Sequence, residues 1–287
     1  MSQRAAELTA RIEHVGQLGA MVGALRGIAA AHAQQGQARL RGVHAYANTV
    51  ADAIAAALAT SEQPAATAHH GQRIVIAFGA EQGFAGVFSE RVFDALPAHY
   101  DALFVIGRRA LRTAATRGLK PDWSAPAIAH ANGAGALAER LASALFDRLA
   151  AGTADAVDLL YPAPVSASAE QVVQTPLLPL DWSRFHRAQH RPPPLLQLPP
   201  QQLLQQLASE YLLAQLTEAA LQSFTAENNA RTRAMGAARD NISRALDGLQ
   251  REARIARQDA ITAEVVELAA GTEALNAGAE ALNAGAV

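Results

Sequence analysis

The N-terminal part of the chain carries a helical repeat of apolar positions. Apolar side chains recur at spacings of three and four from Leu8 through Leu18 and Leu25 to Ala29, and the pattern returns between Val43 and Leu58. Such a stripe is typical of a helix that packs against a partner helix. The same stretch holds six glycines, each of which weakens an isolated helix by about 1 kcal/mol relative to alanine. We therefore predict one long helix over residues 1–63 that depends on tertiary contacts.

A second proline-free stretch runs from residue 201 to residue 272 and predicts another long helix. Its second half has a narrow stripe of mostly small apolar residues: Met235, Ala238, Ile242, Leu246, Leu249, Ala253, Ala256 and Ala260. Two long helices at opposite ends of a chain bury their stripes by pairing as an antiparallel coiled coil. The segment EALNAGA at Glu273–Ala279 then repeats at Glu280–Ala286. We interpret residues 273–287 as a frayed, low-complexity tail.

Between the two helices, short apolar runs alternate with helical patterns. Strand-like runs lie at residues 73–78, 103–106, 157–161 and 172–178, and helical patterns lie at 86–96, 108–116 and 135–151. This alternation predicts a small Rossmann-like, open-sheet α/β domain over residues 72–180. Residues 181–200 hold five prolines and form the connection to the second long helix. The predicted fold class is thus α/β with long helices.

Composition and charge exclude several classes of function. The chain has no cysteine, which excludes disulfides, thiolate metal sites and cysteine nucleophiles. Its formal net charge of −2 disfavours a nucleic-acid partner, since such proteins usually present a basic face. No stretch approaches the roughly 20 apolar residues of a transmembrane helix, so we expect any membrane association to come through a partner.

Specific motifs resemble the gamma subunit of rotary F-type ATP synthase. The segment EYLLAQLTEAALQSFTAENNARTRAMGAARDN at Glu210–Asn241 closely resembles the C-terminal helix of that family, and ARQDAITAEVVELAAG at Ala256–Gly271 continues the match. RIEHV at Arg11–Val15 and EQGFAGVFS at Glu81–Ser89 are similar to family segments in the same order. The family is usually rich in lysine where its first helix passes the catalytic subunits. This chain has Ala20, Gly23 and His32 at the matching positions and is therefore identified as a divergent member.

The resemblance implies a central-stalk rotor subunit that couples ion flow through a membrane ring to ATP synthesis or hydrolysis. Its implied partners are the alpha and beta subunits of the catalytic hexamer, the epsilon subunit and the membrane c-ring. It also implies a peripheral position on the cytoplasmic face of the inner (plasma) membrane. Contacts with the catalytic subunits are expected at Arg254, Arg257, Gln258, Thr262, Glu264 and Glu267. The alternative reading of these charged positions is a solvated helix face.

No active site is expected within this chain, and no cofactor-binding or metal-ligating residues are expected either. The phosphate-binding pattern G-x-x-x-x-G-K-[ST] is absent. The nearest glycine-rich segment, GAEQGFAG at Gly79–Gly86, follows a predicted strand and favours a tight strand-to-helix turn over a nucleotide site. Two other functions stay open at this point: a small α/β enzyme that dimerises through its long helices, and a coiled-coil scaffold unrelated to the synthase.

Overall fold

Two long helices dominate the computed structural model, which describes residues 3–60, 72–164, 170–185 and 195–284. Helix α1 spans Gln3–Leu58 and helix α5 spans Pro200–Ala284. Helix α5 does not end near residue 272, where the sequence predicts its end, but continues to Ala284 within the repeated tail segment. The repeat consists largely of alanine, leucine and glutamate, which are strong helix formers, so its composition is compatible with an uninterrupted helix.

The central segment forms one five-stranded sheet. The strands are β1 (Arg73–Phe78), β2 (Ala102–Ile106), β3 (Trp123–Ala125), β4 (Ala156–Pro164) and β5 (Glu170–Leu178). Their order is β3-β2-β1-β4-β5, with parallel pairing from β3 through β4 and an antiparallel β5 at one edge. The predicted α/β sheet is therefore confirmed, and four of its five strands were expected. Strand β3 was missed because three residues are too few to show a periodic pattern.

Helices cover both faces of this sheet. Successive residues of a strand point to opposite faces. Ile74 and Ile76 of β1 pack on one face with helix α4 (Ala134–Ala150) and with the part of α5 that contains Leu216. Val75 and Ala77 pack on the other face with the short helices α2 (Phe88–Asp94) and α3 (Arg108–Thr116). Because β1 is buried on both sides, its sequence reads as a continuous apolar run rather than an alternating one.

The chain divides into two compact units. One comprises residues 26–234 and contains the whole sheet. Within it α1 and α5 run antiparallel: Gly36 lies against Thr225, while His44 Nε2 lies 3.0 Å from the Glu218 carboxylate. Further along, the Tyr46 hydroxyl donates to Glu210 at 2.6 Å. These contacts are those of the antiparallel helix pair that the two apolar stripes predicted.

The other unit comprises residues 1–25 and 235–287. Here a Cβ added at Gly19 would lie 3.2 Å from Cγ2 of Ile242, and the predicted small-residue stripe of α5 is buried or half-buried. Two members of the predicted α1 stripe, Leu18 and Leu25, are instead exposed. The half-buried positions of α1 include Gly16 and Gly19. No helix among the described residues is long and apolar enough to cross a membrane.

Candidate partner-contact surfaces

The C-terminal part of α5 presents an exposed apolar surface. The buried stripe of this helix ends at the half-buried Ala260, and every side chain from Ile261 to Glu273 is exposed. Large aliphatic side chains are among them, and Leu268 is 70% exposed. Exposed apolar side chains that are grouped on one segment indicate a contact site for another protein. We call Ile261–Glu273 the terminal segment of α5.

The six predicted contact residues lie on this segment or just before it. Arg254, Arg257, Gln258, Thr262, Glu264 and Glu267 are all exposed. Since four residues span slightly more than one helical turn, Arg254, Gln258 and Thr262 share one side of α5. The Thr262 hydroxyl donates back to the carbonyl oxygen of Gln258 at 2.9 Å.

None of the salt bridges between described residues includes Arg254, Arg257, Glu264 or Glu267. Their charged groups are therefore not engaged by a described side chain of opposite charge. Such side chains are suited to contacts with charged loops of another protein. That they make these contacts with the catalytic subunits stays a prediction.

A second exposed apolar surface lies on α1 and was not expected from the sequence. Leu18, Met21 and Leu25 are spaced three and four apart and are each more than two-fifths exposed. They form a stripe beside the half-buried positions of this helix. The apolar repeat predicts that Leu18 and Leu25 belong to the buried stripe. Periodicity identifies an apolar face of a helix, but it does not identify which of two adjoining faces meets the partner helix. Met21, which lies outside the predicted stripe, is the sequence feature that indicates a second apolar surface on α1.

The first half of the glycine-rich turn after β1 is occupied by side chains of α5. Its backbone N–H groups at Glu81 and Gln82 donate to the carboxylate of Glu227, at 3.0 and 3.1 Å. The donors that would cradle a phosphate are thus already bound to an acidic side chain of the same chain. The cavity that remains beside Glu227 and Arg231 has a volume of about 10 Å³. A space of that size holds at most one water molecule.

A second cavity lies elsewhere in the same compact unit. A wider cleft of about 570 Å³ is lined by Gln35, Ala38, Arg39, His130, Ala131 and Asn132, a set with no acidic side chain and no hydroxyl or thiol nucleophile. Across the ranges that the structure describes, no group of three or more histidine, aspartate or glutamate side chains is placed to hold a metal ion. The exposed helical surfaces are therefore the features that call for a functional explanation.

Comparisons with known proteins agree with the resemblance in the motifs. The sequence profile of the ATP synthase family matches residues 4–275. The ATP synthase gamma chain of Parafrankia sp. (strain EAN1pec) is 28% identical over 298 aligned residues, which cover 93% of this chain and 96% of that relative. The gamma chain of Ruminococcus albus is also 28% identical, over 205 residues that cover 68% of this chain and 71% of that relative.

Solved structures show the same fold. A chain of the Euglena gracilis mitochondrial ATP synthase, in a structure titled OSCP/F1/c-ring, superposes with a TM-score of 0.64 at 13% identity and covers 96% of this chain. A chain of the rotor of the same synthase superposes with a TM-score of 0.62 and covers 90% of this chain. With long terminal helices, a central mixed sheet and a family match over nearly its whole length, the chain belongs to the ATP synthase gamma-chain family, that of the central-stalk rotor subunits.

Proposed function

We propose that this rotor subunit meets the alpha and beta subunits of a catalytic hexamer through the terminal segment of α5 and through the stripe of Leu18, Met21 and Leu25. The observation that carries the proposal is that every residue from 261 to 273 is exposed, in a helical segment that includes Ile261, Val265, Val266 and Leu268. A helical segment that exposes apolar side chains is stabilised when another protein covers them.

The chemistry of the two kinds of surface suits a rotating part. Aliphatic side chains make non-directional contacts, so they can slide past a stationary apolar wall without specific bonds that would hold one orientation. Charged and amide groups such as Arg254, Arg257 and Gln258 make directional contacts whose strength depends on orientation. A shaft that offers both can bias each catalytic site between open and closed states as it turns, because a ligand shifts an equilibrium only by its different affinity for the two states. Catalytic residues and bound nucleotide then belong to the partners.

We further propose that the epsilon subunit and the membrane c-ring bind elsewhere on the chain. The assembly would hold the subunit peripherally at the cytoplasmic face of the plasma membrane. A nucleic-acid partner is not proposed, because the formal net charge is −2. The sheet domain is the natural candidate for the end that faces the membrane ring, since the contacts proposed for the catalytic subunits lie on α1 and α5.

Reconstitution with the alpha and beta subunits of the same organism, and then as the whole ATP synthase in lipid vesicles, tests the proposal. The wild-type chain should purify in a stoichiometric complex that hydrolyses ATP. Arg257→Ala should lower the rate of ATP synthesis in vesicles without changing the stability of the isolated chain, because Arg257 is exposed. Arg140→Ala, at an exposed arginine on α4, is the matched control and should leave synthesis unchanged. Recovery of the wild-type chain alone, with no catalytic subunits bound under any of these conditions, would sink the proposal.

A further inference from the structure

A buried carboxylate joins α5 to the sheet. Glu227 is only 3% exposed, and it accepts hydrogen bonds from the backbone N–H groups of Glu81 and Gln82. Arg231, one helical turn further along α5, donates to the same carboxylate through Nη2 and to the carbonyl oxygen of Gly83 through Nε at 3.1 Å. Two side chains of α5 therefore hold three successive residues of the turn after β1. We call this arrangement the Glu227–Arg231 clamp.

The turn that the clamp holds is itself bound to the ends of two neighbouring strands. The Glu81 carboxylate accepts from the backbone N–H of Arg108, which follows β2, at 3.1 Å. It also accepts from the backbone N–H of Ala127, which follows β3, at 2.7 Å. The Arg108 guanidinium lies 2.9 Å from the same carboxylate. Through Glu81, the clamp connects α5 to the carboxyl ends of β1, β2 and β3 together.

The clamp differs in kind from the apolar packing between α5 and the sheet. Leu212, Leu216 and Phe224 of α5 pack into the apolar core on one face of the sheet. Apolar packing stabilises the contact in proportion to the area buried, but it is non-directional. Charge-assisted hydrogen bonds with several donors on one carboxylate are directional and select a single geometry. The apolar residues therefore hold the helix on the sheet, and the clamp sets its rotation about its own axis.

Burying these charges is a poor route to stability alone. Removing a carboxylate and a guanidinium from water costs several kcal/mol, and an apolar pair of similar volume is often equally stabilising or more so. The best-attested use of such buried polar groups is to specify one register among several that apolar packing would accept. A rotor subunit requires such a fixed register. If the sheet turned relative to α5, part of the ion-driven rotation would not reach the catalytic sites.

We propose that Glu227 and Arg231 are positioning residues that lock the α/β sheet to α5 against rotation about the helix axis, and so set how completely ion-driven turning is coupled to ATP chemistry. The inference rests on the proposed rotor function. It concerns transmission within the subunit and not its contacts with the catalytic subunits.

The test uses the assembled ATP synthase in lipid vesicles. Glu227→Gln keeps the volume of the side chain but replaces one acceptor oxygen by an NH₂ group, which faces donors that the carboxylate had satisfied. ATP hydrolysis and ATP-driven charging of the vesicles, the latter followed with a voltage-sensitive dye, are measured on the same preparation. We expect charging per ATP hydrolysed to fall by a factor of about three to ten, the range set by the net loss of one ordinary hydrogen bond. Hydrolysis itself should stay within about a factor of two, since the catalytic residues belong to other subunits.

Arg244→Gln is the matched control. Arg244 lies on the same helix and is exposed, and its guanidinium donates within α5, to the carbonyl oxygen of Asp240 at 3.4 Å and to the side chain of Asn241. Because these contacts do not join α5 to the sheet, charging per ATP should equal that of the wild type. Glu227→Asp keeps the charge and shortens the side chain. If Glu227→Gln does not assemble, the ratio of charging to hydrolysis is measured in Glu227→Asp instead. A lowered ratio in this variant supports the lock.

Two results would overturn the inference. One is an unchanged ratio of charging to hydrolysis in an assembled Glu227 variant. The other is a fall of both rates in proportion to rotor subunit lost from the complex in both variants, which indicates a purely structural role. A wild-type complex that hydrolyses ATP without charging the vesicles, or that fails to form, would instead contradict the proposed rotor function.

Discussion

Replacing Gly36 by alanine should weaken the packing of α1 on α5. A Cβ at this position would lie 2.3 Å from Oγ1 of Thr225 and 3.2 Å from Cδ1 of Phe224. Thr225 cannot turn aside without loss, because its hydroxyl donates to the carbonyl oxygen of Leu221 at 2.7 Å. The two helices must separate locally or the threonine must give up that bond. Either response costs about 1–3 kcal/mol, the usual range for an overpacked site.

A matched control separates this cost from the general preference of helices for alanine. Gly42 lies on the same helix in the same compact unit, and a Cβ there would meet nothing within 4 Å. Gly42→Ala should therefore gain up to about 1 kcal/mol, while Gly36→Ala receives the same gain and loses more to the clash. The difference between the two variants should be about 1–3 kcal/mol, since the shared helix preference cancels.

Urea unfolding of the purified chain, followed by far-ultraviolet circular dichroism, measures that difference. The midpoints of the variants can be compared directly if the slopes of the transitions agree. We expect the order Gly42→Ala, wild type, Gly36→Ala, from most to least stable. A Gly36→Ala chain as stable as Gly42→Ala would refute the close approach of the two helices at Thr225.

Three further predictions concern the sheet domain. Leu141→Ala should cost about 2–5 kcal/mol in urea unfolding because this side chain is fully buried, whereas the exposed Leu111→Ala should change little, and equal losses would contradict the packing of α4 on the sheet. Asp158→Asn should lower the free energy of unfolding in urea by about 1–3 kcal/mol, because its buried carboxylate accepts hydrogen bonds from side chains of β1 and β5. Asp94→Asn, at an exposed ion pair, should lower it by less than about 1 kcal/mol. Burial raises the pKa of the Tyr161 phenol above its ordinary value, so this group contributes stability below about pH 10 that is lost as pH rises through the folded-state pKa. The melting temperature should therefore fall more steeply above about pH 10 in the wild type than in Tyr161→Phe. Parallel curves for the two proteins would contradict this assignment.

Long periodic segments were the most predictable part of the fold. The predicted helix at residues 108–116 and the predicted strand at residues 73–78 coincide with α3 and β1. Both long helices were expected from uninterrupted apolar periodicity. The end of α5 was not, because an exactly repeated segment was read as low complexity although its composition favours helix. Strand β3 has only three residues, which a pattern of alternation cannot detect.

The partner-contact surfaces stay predictions. The resemblance pointed to six residues near the end of α5, and the structure leaves all six exposed. It did not point to Leu18, Met21 and Leu25, whose spacing fits a buried stripe equally well. Whether an apolar face is covered depends on which side of α1 packs against α5, and periodicity does not record that.

The sequence by itself determined the two long helices, the α/β character of the segment between them and the family to which the chain belongs, because periodicity, turn residues and motifs are all local. Only the tertiary structure decided which apolar faces are buried and what Glu227 does. Glu227 and Glu81 are 146 residues apart, and no local spacing records that one carboxylate will meet the backbone N–H of the other residue. In the sequence, Glu227 and Arg231 were two letters of a family motif. The fold brings them to the turn after β1, where their charge-assisted hydrogen bonds are directional and burial strengthens them, as the proposed lock of α5 to the sheet requires.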